Sequence, residues 1–424
     1  MAENVDATGT YLTPPSDLTA TAALPHVLRQ SQFLRFVGAT LTWSTGHLLV
    51  IVSNSFLIYD MTDSGLWLAA LGASIAVPQF IFAGVGGVLA DRVSRKIMLV
   101  SGASVGAVTM TILAILDFAD ALEPWHIVAS GAAFGAAFGN DWTARQAFIT
   151  NLVDRSQLVR AVSFDQTAFH ISRITAPLVG GVLLALTGGE GAFTLGAIMF
   201  ALAALLLLTL SPIQRIEDRQ PPIWEGISDA IRKIRSDSVV SVVMLFTAVN
   251  AVFLGGFVYL APVFATDVFD GGAVEQGAIL TGMGVGAVAG ALWLGTSGSV
   301  RRAGLGMLVT NALTVVAIGG FSVSTMLAAS IAFAVVAGVV NAVHITLGTV
   351  AIQTRVEDDM RGRIFGAYEM AWGFFPAGGL VFGALVAAIG PEPALMVGVI
   401  GTGVVTAIVW LFSAATRSYT LDQR

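Results

Sequence analysis

Long apolar segments alternate with short polar ones along nearly the whole chain. Twelve of the apolar segments are long enough to span a membrane, because a helix needs roughly 20 residues to cross about 30 Å of hydrocarbon. Their approximate ranges are 34–58, 66–90, 97–116, 125–142, 161–187, 192–211, 238–265, 274–296, 304–323, 326–352, 362–389 and 393–415. Spanning β-strands would alternate polar and apolar residues over about 10 positions. The pattern therefore predicts an all-α polytopic membrane protein with twelve transmembrane helices.

The polar interval at 212–237 divides the twelve segments into two sets of six. The predicted organisation is a tail at 1–33, a bundle at 34–211, a linker at 212–237, a second bundle at 238–416 and a tail at 417–424. The linker places Trp224, Ile227, Ile231 and Ile234 at helical spacing beside basic residues. We expect it to form an amphipathic helix on the membrane surface.

The two predicted bundles also resemble each other in sequence. Residues 158–188 and 360–390 both run from a basic loop into a helix with a proline in mid-span and a glycine-rich second half. Duplicated halves of six helices are typical of transporters, whose substrate site lies near the midplane between the halves. The sequence thus predicts two pseudo-symmetric bundles with a site between them.

Composition and charge support this architecture and orient it. Of 424 residues, 55% are hydrophobic and 11% charged, far from the soluble average. Twenty of the 21 Lys and Arg residues lie in alternate gaps, in the tails or at the first residues of a segment, and only Arg173 lies deep inside an apolar segment. Cytoplasmic loops of membrane proteins retain Lys and Arg, so we expect both termini in the cytoplasm. The expected location of the protein is the inner membrane of the cell.

The residue types present exclude several other functions. The chain has no Cys, which excludes disulfides, thiol catalysis and cysteine-held metal. His47, His170 and His344 are dispersed, and no Walker-type phosphate loop or cluster of nucleophile and base is present. We therefore expect no enzyme, no metal and no cofactor. The expected partners are the lipid bilayer and a small-molecule substrate, with no nucleic acid, and the chain is expected to be monomeric.

Charged residues inside a membrane mark cavities or ion pairs, because each costs about 2.5 to 3.5 kcal/mol at a helix centre. Asp165 and Arg173 lie in the fifth segment. Gln166, His170, Arg173 and Pro177 are spaced i, i+4, i+7 and i+11, which places them on one stripe of a helix. Two interpretations of Arg173 stay open. It either neutralises an acid or helix-end carbonyls permanently, or it faces the cavity and binds an anionic substrate.

Further candidates lie in other segments. In the eleventh, Glu369, Gly373, Pro376 and Gly383 form a second stripe, and a desolvated carboxylate at Glu369 can exchange protons. Neutral polar residues in the likely cavity helices add a set of cavity candidates. These are Asn54, Asn250, Asn341 and His344.

The most specific motif is GGVLADRVSRK at 86–96. It resembles the cytoplasmic loop signature of the major facilitator superfamily, Gly-x-x-x-Asp-Arg-x-Gly-Arg-Arg/Lys. The matching residues are Gly87, Asp91, Arg92, Arg95 and Lys96, and Ser94 replaces the second glycine. In this family the loop is a latch, whose acid accepts charge-assisted hydrogen bonds from arginines and amides when the cytoplasmic side is closed.

A second match is similar to the bacterial exporter branch that includes enterobactin exporters and macrolide efflux proteins. In that branch an Ala-Arg-Gln-Ala run leaves the fourth helix, and Arg-x-x-x-Pro-x-x-Gly-Gly occupies the fifth. The corresponding residues are Ala144, Arg145, Gln146, Ala147, Arg173, Pro177, Gly180 and Gly181, of which the last three are assigned to helix packing. No basic residue lies from Ile127 to Trp142, so the intramembrane arginine of proton-coupled drug exporters has no counterpart there.

The resemblance implies a secondary transporter that works by alternating access. We predict a proton-coupled exporter, an antiporter for drugs, siderophores or metabolites, with the proton gradient as its energy source. Arg173, Glu369, Asp165, His170 and Gln166 are the candidates for binding or coupling. An importer or lysophospholipid-type flippase on the same fold remains an alternative, as does a non-transporting membrane receptor.

Overall fold

The computed structural model describes residues 30–90, 94–139, 141–153, 157–211, 223–297 and 302–420, and it describes only the backbone at some helical positions, including 83–90 and 223–227. These residues are almost entirely helical. The helices are α1 Ser31–Asp60, α2 Gly65–Ala90, α3 Arg95–Phe118, α4 Pro124–Phe138, α5 Asp141–Leu152, α6 Leu158–Thr187, α7 Gly189–Leu208, α8 Ile223–Ser236, α9 Ser238–Val263, α10 Ala273–Ser297, α11 Ala303–Val323, α12 Leu327–Arg355, α13 Asp358–Trp372, α14 Phe375–Ile389, α15 Pro391–Phe412 and α16 Ala414–Ser418.

Within the described residues, 11 helical segments are long and apolar enough to cross a membrane. They coincide with eleven of the twelve predicted spans. The fourth predicted span corresponds to α4, which the structure describes to its cap at Gly139, and to the start of α5 at Asp141, with residue 140 outside the described residues. The eleventh is interrupted between α13 and α14, so the predicted stripe from Glu369 to Gly383 is not continuous on one helix.

Helix ends follow from the local sequence. Ser94 accepts a hydrogen bond from the backbone N–H of Ile97 and caps α3, which gives a role to the residue that departs from the family's loop signature. Asp237 caps α9 through the backbone N–H groups of Val239 and Val240. Prolines occupy the first turns of α4, α14 and α15, where a missing N–H costs no hydrogen bond.

The helices form two bundles that meet along a seam. In the first bundle α1 packs against α6 and α7, and α3 packs against α7; in the second, α10 and α11 pack against α12, and α9 packs against α14. Glycines permit the closest approaches, as at Gly106, where an added Cβ would lie 2.8 Å from the ring of Phe200. Each bundle therefore has its own packed interior.

The loops after the first helix of each bundle repeat a backbone feature. Asp63 follows α1 with φ 45°, and Asp270 follows the end of α9 with φ 48°. Aspartate tolerates this left-handed conformation better than bulky or branched residues do. Asp120, after α3, adopts the same conformation with φ 53°, so a left-handed aspartate is a feature that three of the described loops share.

The linker helix α8 has a protein partner. Ala230 is buried and Ile234 packs beside it against the second bundle, in a cluster that includes Val240 and Ile364. Asp229 pairs with Arg363 at 2.7 Å. Part of the apolar face of α8 thus contacts protein, and Ile231 stays exposed. The sequence predicts a helix on the membrane surface.

Candidate substrate cleft

The two ends of the molecule differ in charge. The loops between α1 and α2, α3 and α4, and the segment before α10 carry Asp60, Asp63, Asp120, Asp267 and Asp270 without Lys or Arg. We call this the acidic end. The opposite end carries the N-terminus of α1, the start of α3 and the linker helix α8, and we call it the basic end.

Side-chain hydrogen bonds close the acidic end between the bundles. The Tyr59 hydroxyl of α1 donates to the Asp267 carboxylate at 2.6 Å. The Gln276 amide of α10 donates to the Ser55 hydroxyl at 3.0 Å. The contact between the bundles is therefore partly polar at this end, with the Tyr59 bond half-buried and the Gln276 bond fully buried.

Behind these bonds the bundles touch backbone to backbone. A Cβ added at Gly72 of α2 would lie 2.3 Å from the Leu380 nitrogen of α14, and one at Gly181 of α6 would lie 2.3 Å from the Ala273 carbonyl oxygen. A Cβ at Gly277 would meet the Pro177 carbonyl at 2.5 Å. These two seams, α2 with α14 and α6 with α10, hold the acidic half shut.

The contacts between the bundles end near mid-depth. The innermost contacts of α6 are with two residues of α10. The Thr281 hydroxyl donates to the Ile174 carbonyl at 3.0 Å, and Gly284 closely approaches the Arg173 carbonyl. Nearer the basic end, α13 of the second bundle packs mainly against α8, α9 and α12. A Cβ at Gly366 of α13 would meet nothing within 4 Å. A cleft therefore opens toward the basic end.

Of the predicted latch residues, Arg95 and Lys96 lie at this open end. Asp91 and Arg92 are outside the described residues, and only the backbone is described at Gly87. Lys96 donates to the carbonyls of Leu208 and Leu210, the first at 2.8 Å. Arg95 is exposed but has a partner. Lys96 thus stabilises the carboxyl end of α7 within its own bundle, as expected for a cation at a helix C-terminus.

The predicted stripe on α6 faces the seam and then the cleft. Its member nearest the acidic end, Pro177, contacts α10. The others, Gln166, His170 and Arg173, continue the same face toward the basic end and are partly exposed, while the lipid-facing side of α6 carries residues such as Ile171. Helical spacing and the α10 contact together place these three side chains on the cleft wall.

Asp165 faces the other way, into the first bundle, and belongs to a buried ionic network. It accepts a hydrogen bond of 2.5 Å from the Thr40 hydroxyl of α1. Thr40 in turn accepts a bond of 2.9 Å from the Arg145 guanidinium, which lies 3.4 Å from the Asp141 carboxylate. The exposed fractions are 1% for Thr40, 2% for Arg145, 3% for Asp141 and 4% for Asp165. The network joins α1, α5 and α6.

Arg145 corrects the assignment made from sequence, which counts it among the loop cations and leaves Arg173 as the one intramembrane base. The reason is that α5 continues the helical fold beyond the fourth apolar segment, so that Ala144, Phe148 and Ile149 are buried beside it. Asp141 and Arg145 are spaced i, i+4, the spacing of a helical ion pair. That spacing within an apolar pattern is the signal that could have found the network.

Aromatic rings pack against the network. The Arg145 guanidinium lies 4.6 Å from the ring of Trp43 and 5.8 Å from that of Phe36, both cation–π distances. Trp43 also stacks on His47 at 5.3 Å, and His47 stacks on Phe138 at 5.0 Å. His47 and Phe138 are partly exposed, so the aromatic cluster extends from the buried network to a surface of the first bundle.

The network is not fully hydrogen-bonded. Asp141 Oδ1 and Arg145 Nε are buried without a hydrogen-bond partner, as are Trp43 Nε1 and the Nδ1 atoms of His47 and His170. Such atoms are uncommon in folded proteins and costly in low dielectric. A network with spare donors and acceptors can exchange partners when a proton or a ligand arrives.

The second bundle holds a polar network of another kind. Asn250 donates to Asn311 at 3.0 Å, and the His344 Nδ1 lies 3.2 Å from both Asn311 and the Thr310 hydroxyl. These residues are buried, as is the neighbouring Asn341. Asn54 is likewise buried and donates to Ser130 at 3.1 Å in the first bundle. The structure thus places all four predicted cavity candidates between helices of one bundle.

Glu369 is partly exposed on α13, four residues before the chain leaves helical conformation at Gly373. It has an interaction partner. Glu369 therefore places a carboxylate in the half of the second bundle that lies toward the open end. In the described residues no three His, Asp or Glu side chains converge as metal ligands would.

The comparisons with known proteins agree with this architecture. Enterobactin exporter EntS of Salmonella typhi is 26% identical over 320 residues, covering 73% of this chain and 74% of the relative. EntS of Shigella boydii serotype 4 is 28% identical over 324 residues, covering 73% and 74%. Both names describe an exporter.

Solved structures share the fold. The crystal structure of nucleoside transporter NupG has a TM-score of 0.70 at 16% identity and covers 92% of this chain and 100% of that one. A bacterial homologue of the human lysosomal transporter Spinster, in an inward-facing and occupied conformation, has a TM-score of 0.68 at 13% identity, covering 92% and 98%.

A family profile described as transmembrane secretion effector matches residues 21–421, nearly the whole chain. The fold is that of the major facilitator transporters. The chain is a multi-pass transporter of the inner membrane and not an enzyme. With the two bundles, the cleft and the profile in agreement, the chain belongs to the transmembrane secretion effector family and resembles its enterobactin-exporter branch.

Proposed function

We propose that the protein is a proton-coupled exporter of small organic molecules, with siderophores of the enterobactin type as the first candidates. The observation that carries the coupling is the buried network of Thr40, Asp141, Arg145 and Asp165 beside the open cleft. Two carboxylates share one guanidinium, so one net negative charge is buried when both are ionised. Binding one proton removes that charge.

The proposed cycle follows from this charge balance. A proton that reaches the network from the acidic end cancels the excess charge and loosens Asp141 or Asp165 from its partner. The α1, α5 and α6 segments that share the network can then change their relative positions. Substrate leaves the cleft at the acidic end during this change, and proton release at the basic end restores the ion pairs.

Orientation is part of the proposal. The basic end faces the cytoplasm, as Lys and Arg in cytoplasmic loops require, and the cleft described here is then open to the inside. Because the chain contains no Cys, single cysteines can be introduced as reporters without background. A cysteine at Ser64 should react with a membrane-impermeant maleimide in whole cells, and one at Ser236 should react only after lysis. The reverse pattern would overturn the orientation.

Transport is tested in everted membrane vesicles with an acidic interior. Labelled enterobactin should accumulate inside, and an uncoupler that collapses the proton gradient should prevent it. Asp165→Asn should remove the response to the gradient, while Asp229→Asn, which alters only the pairs of the linker helix with Arg232 and Arg363, should not. Accumulation that is indifferent to the gradient would contradict proton coupling, and accumulation solely in right-side-out vesicles would favour an importer.

A further inference from the structure

We propose that Arg173, assisted by His170 and Gln166, is a preformed binding site for the anionic group of the transported molecule. The substrate class is therefore organic anions. This inference rests on the proposed function, because it names the chemistry that the exported molecule must carry.

The first argument is that Arg173 has no partner. In the part of the chain that the structure describes, it forms no salt bridge or hydrogen bond, although it is only partly exposed on α6. The network cation Arg145 differs, since it has a carboxylate, a hydroxyl and two aromatic rings. A guanidinium held in a membrane protein without a counter-charge is costly, and an anionic ligand would offset that cost.

The second argument is that the surrounding helices offer no carboxylate within reach. The α6 acid, Asp165, is eight residues away, about 12 Å along the helix axis. The α10 acid, Glu275, lies nine residues from Gly284, the residue opposite Arg173, or about 14 Å away, and it already accepts from the Gly272 N–H at 2.7 Å. On α1 the one acid, Asp60, is at the end of the helix.

The third argument is position. Ser172, beside Arg173, contacts Thr45 of α1, and the Arg173 carbonyl meets Gly284 of α10. Arg173 therefore lies at the innermost level of the cleft, where both bundles meet. A ligand bound there contacts the part of the seam that must open for release at the acidic end.

The neighbours of Arg173 complete the site. His170 and Gln166 lie one and two turns nearer the cleft mouth on the same face, and the His170 Nδ1 atom has no hydrogen-bond partner. A guanidinium, an imidazole and an amide in a row can bind a carboxylate, phenolate or phosphate by direct hydrogen bonds. The stacked rings of His47 and Phe138 on the adjacent wall suit an apolar or aromatic body attached to that anion.

The test is a binding experiment with two probes of nearly the same shape, of which one is an anion and the other is neutral. Purified protein in lipid nanodiscs is titrated with 1-naphthoate and with neutral 1-naphthamide, and binding is followed by tryptophan fluorescence. The wild type should bind the anion about tenfold more tightly, the equivalent of one charge-assisted hydrogen bond. Arg173→Lys should keep the preference and Arg173→Gln should lose it.

Arg160→Gln is the matched control, because Arg160 is an exposed arginine on the same helix, and it should bind as the wild type does. Thermal unfolding of each variant shows that the protein is folded. An unchanged preference in Arg173→Gln would overturn the anion site, and so would a wild type that does not distinguish the two probes. The binding experiments contain no proton gradient, so their result does not depend on proton coupling. Failure of coupling in vesicles would therefore not contradict the anion site, and failure of anion binding would not contradict proton coupling.

Discussion

The two bundles have the same architecture but differ in what they bury. The first encloses Asp141, Arg145 and Asp165, which carry charge, whereas the second encloses Asn250, Asn311 and His344 without a carboxylate, Lys or Arg among them. Both networks cross-link helices through hydrogen bonds. Only the first has an excess of acid over base, so the proposed proton coupling would act through the first bundle, while the second bundle would serve as a scaffold.

The largest expected effect comes from removing the cation of the first bundle. Arg145→Met leaves two buried carboxylates without a counter-charge and should lower the free energy of unfolding by about 3 to 5 kcal/mol. In the second bundle Asn311→Ala breaks neutral hydrogen bonds and should cost about 1 to 3 kcal/mol. Denaturant unfolding in detergent micelles measures both. Equal losses in the two variants would remove the distinction between the bundles.

The next effect concerns pH. Asp165→Asn keeps a hydrogen-bonding group toward Thr40 but cannot ionise, so gradient-driven transport should fall about tenfold or more, the loss that accompanies roughly 1.4 kcal/mol of barrier height. Its remaining activity should vary little with pH. His344→Asn in the second bundle should leave the shape of the pH profile unchanged. If the histidine variant flattens the profile instead, coupling belongs to the second bundle.

A smaller effect is expected where the bundles meet. Tyr59→Phe removes the hydrogen bond to Asp267, worth about 1 kcal/mol, and should shift the population about fivefold toward forms open at the acidic end. Spin-label distances between α1 and α9 can follow the shift. Tyr419→Phe deletes a hydroxyl that bonds Thr354 inside the second bundle, and it should not change those distances.

The smallest effect is expected at the linker. Arg363→Gln breaks the partly exposed pair with Asp229 that ties α8 to the second bundle, and exposed pairs contribute about 0.2 to 1 kcal/mol. Thermal stability should therefore fall slightly, and transport should stay close to wild type. A large loss of transport would show that the position of α8 is coupled to the cleft.

The sequence could predict the features that depend on the local spacing of residue types. Apolar length predicted the spans, and the spacing of Gln166, His170, Arg173 and Pro177 predicted their common face. The pairing of Asp141 with Arg145 was missed because it crosses the end of the fourth apolar segment: Asp141 lies inside 125–142, and Arg145 lies beyond it among residues that look like a loop. The burial of Asn250 and His344 could not be predicted, since helical spacing gives the face of a residue but not which helix covers it.

The glycine seam between α6 and α10 has a practical consequence for anyone who wishes to see another state of this transporter. Gly181 and Gly277 each face a backbone carbonyl across the seam with no room for one more carbon. A methyl group at either position should push α6 and α10 apart, and it changes neither the charged network nor Arg173. Gly181→Ala should therefore favour the form that is open at the acidic end. This variant should help to determine the outward-open structure by cryo-electron microscopy.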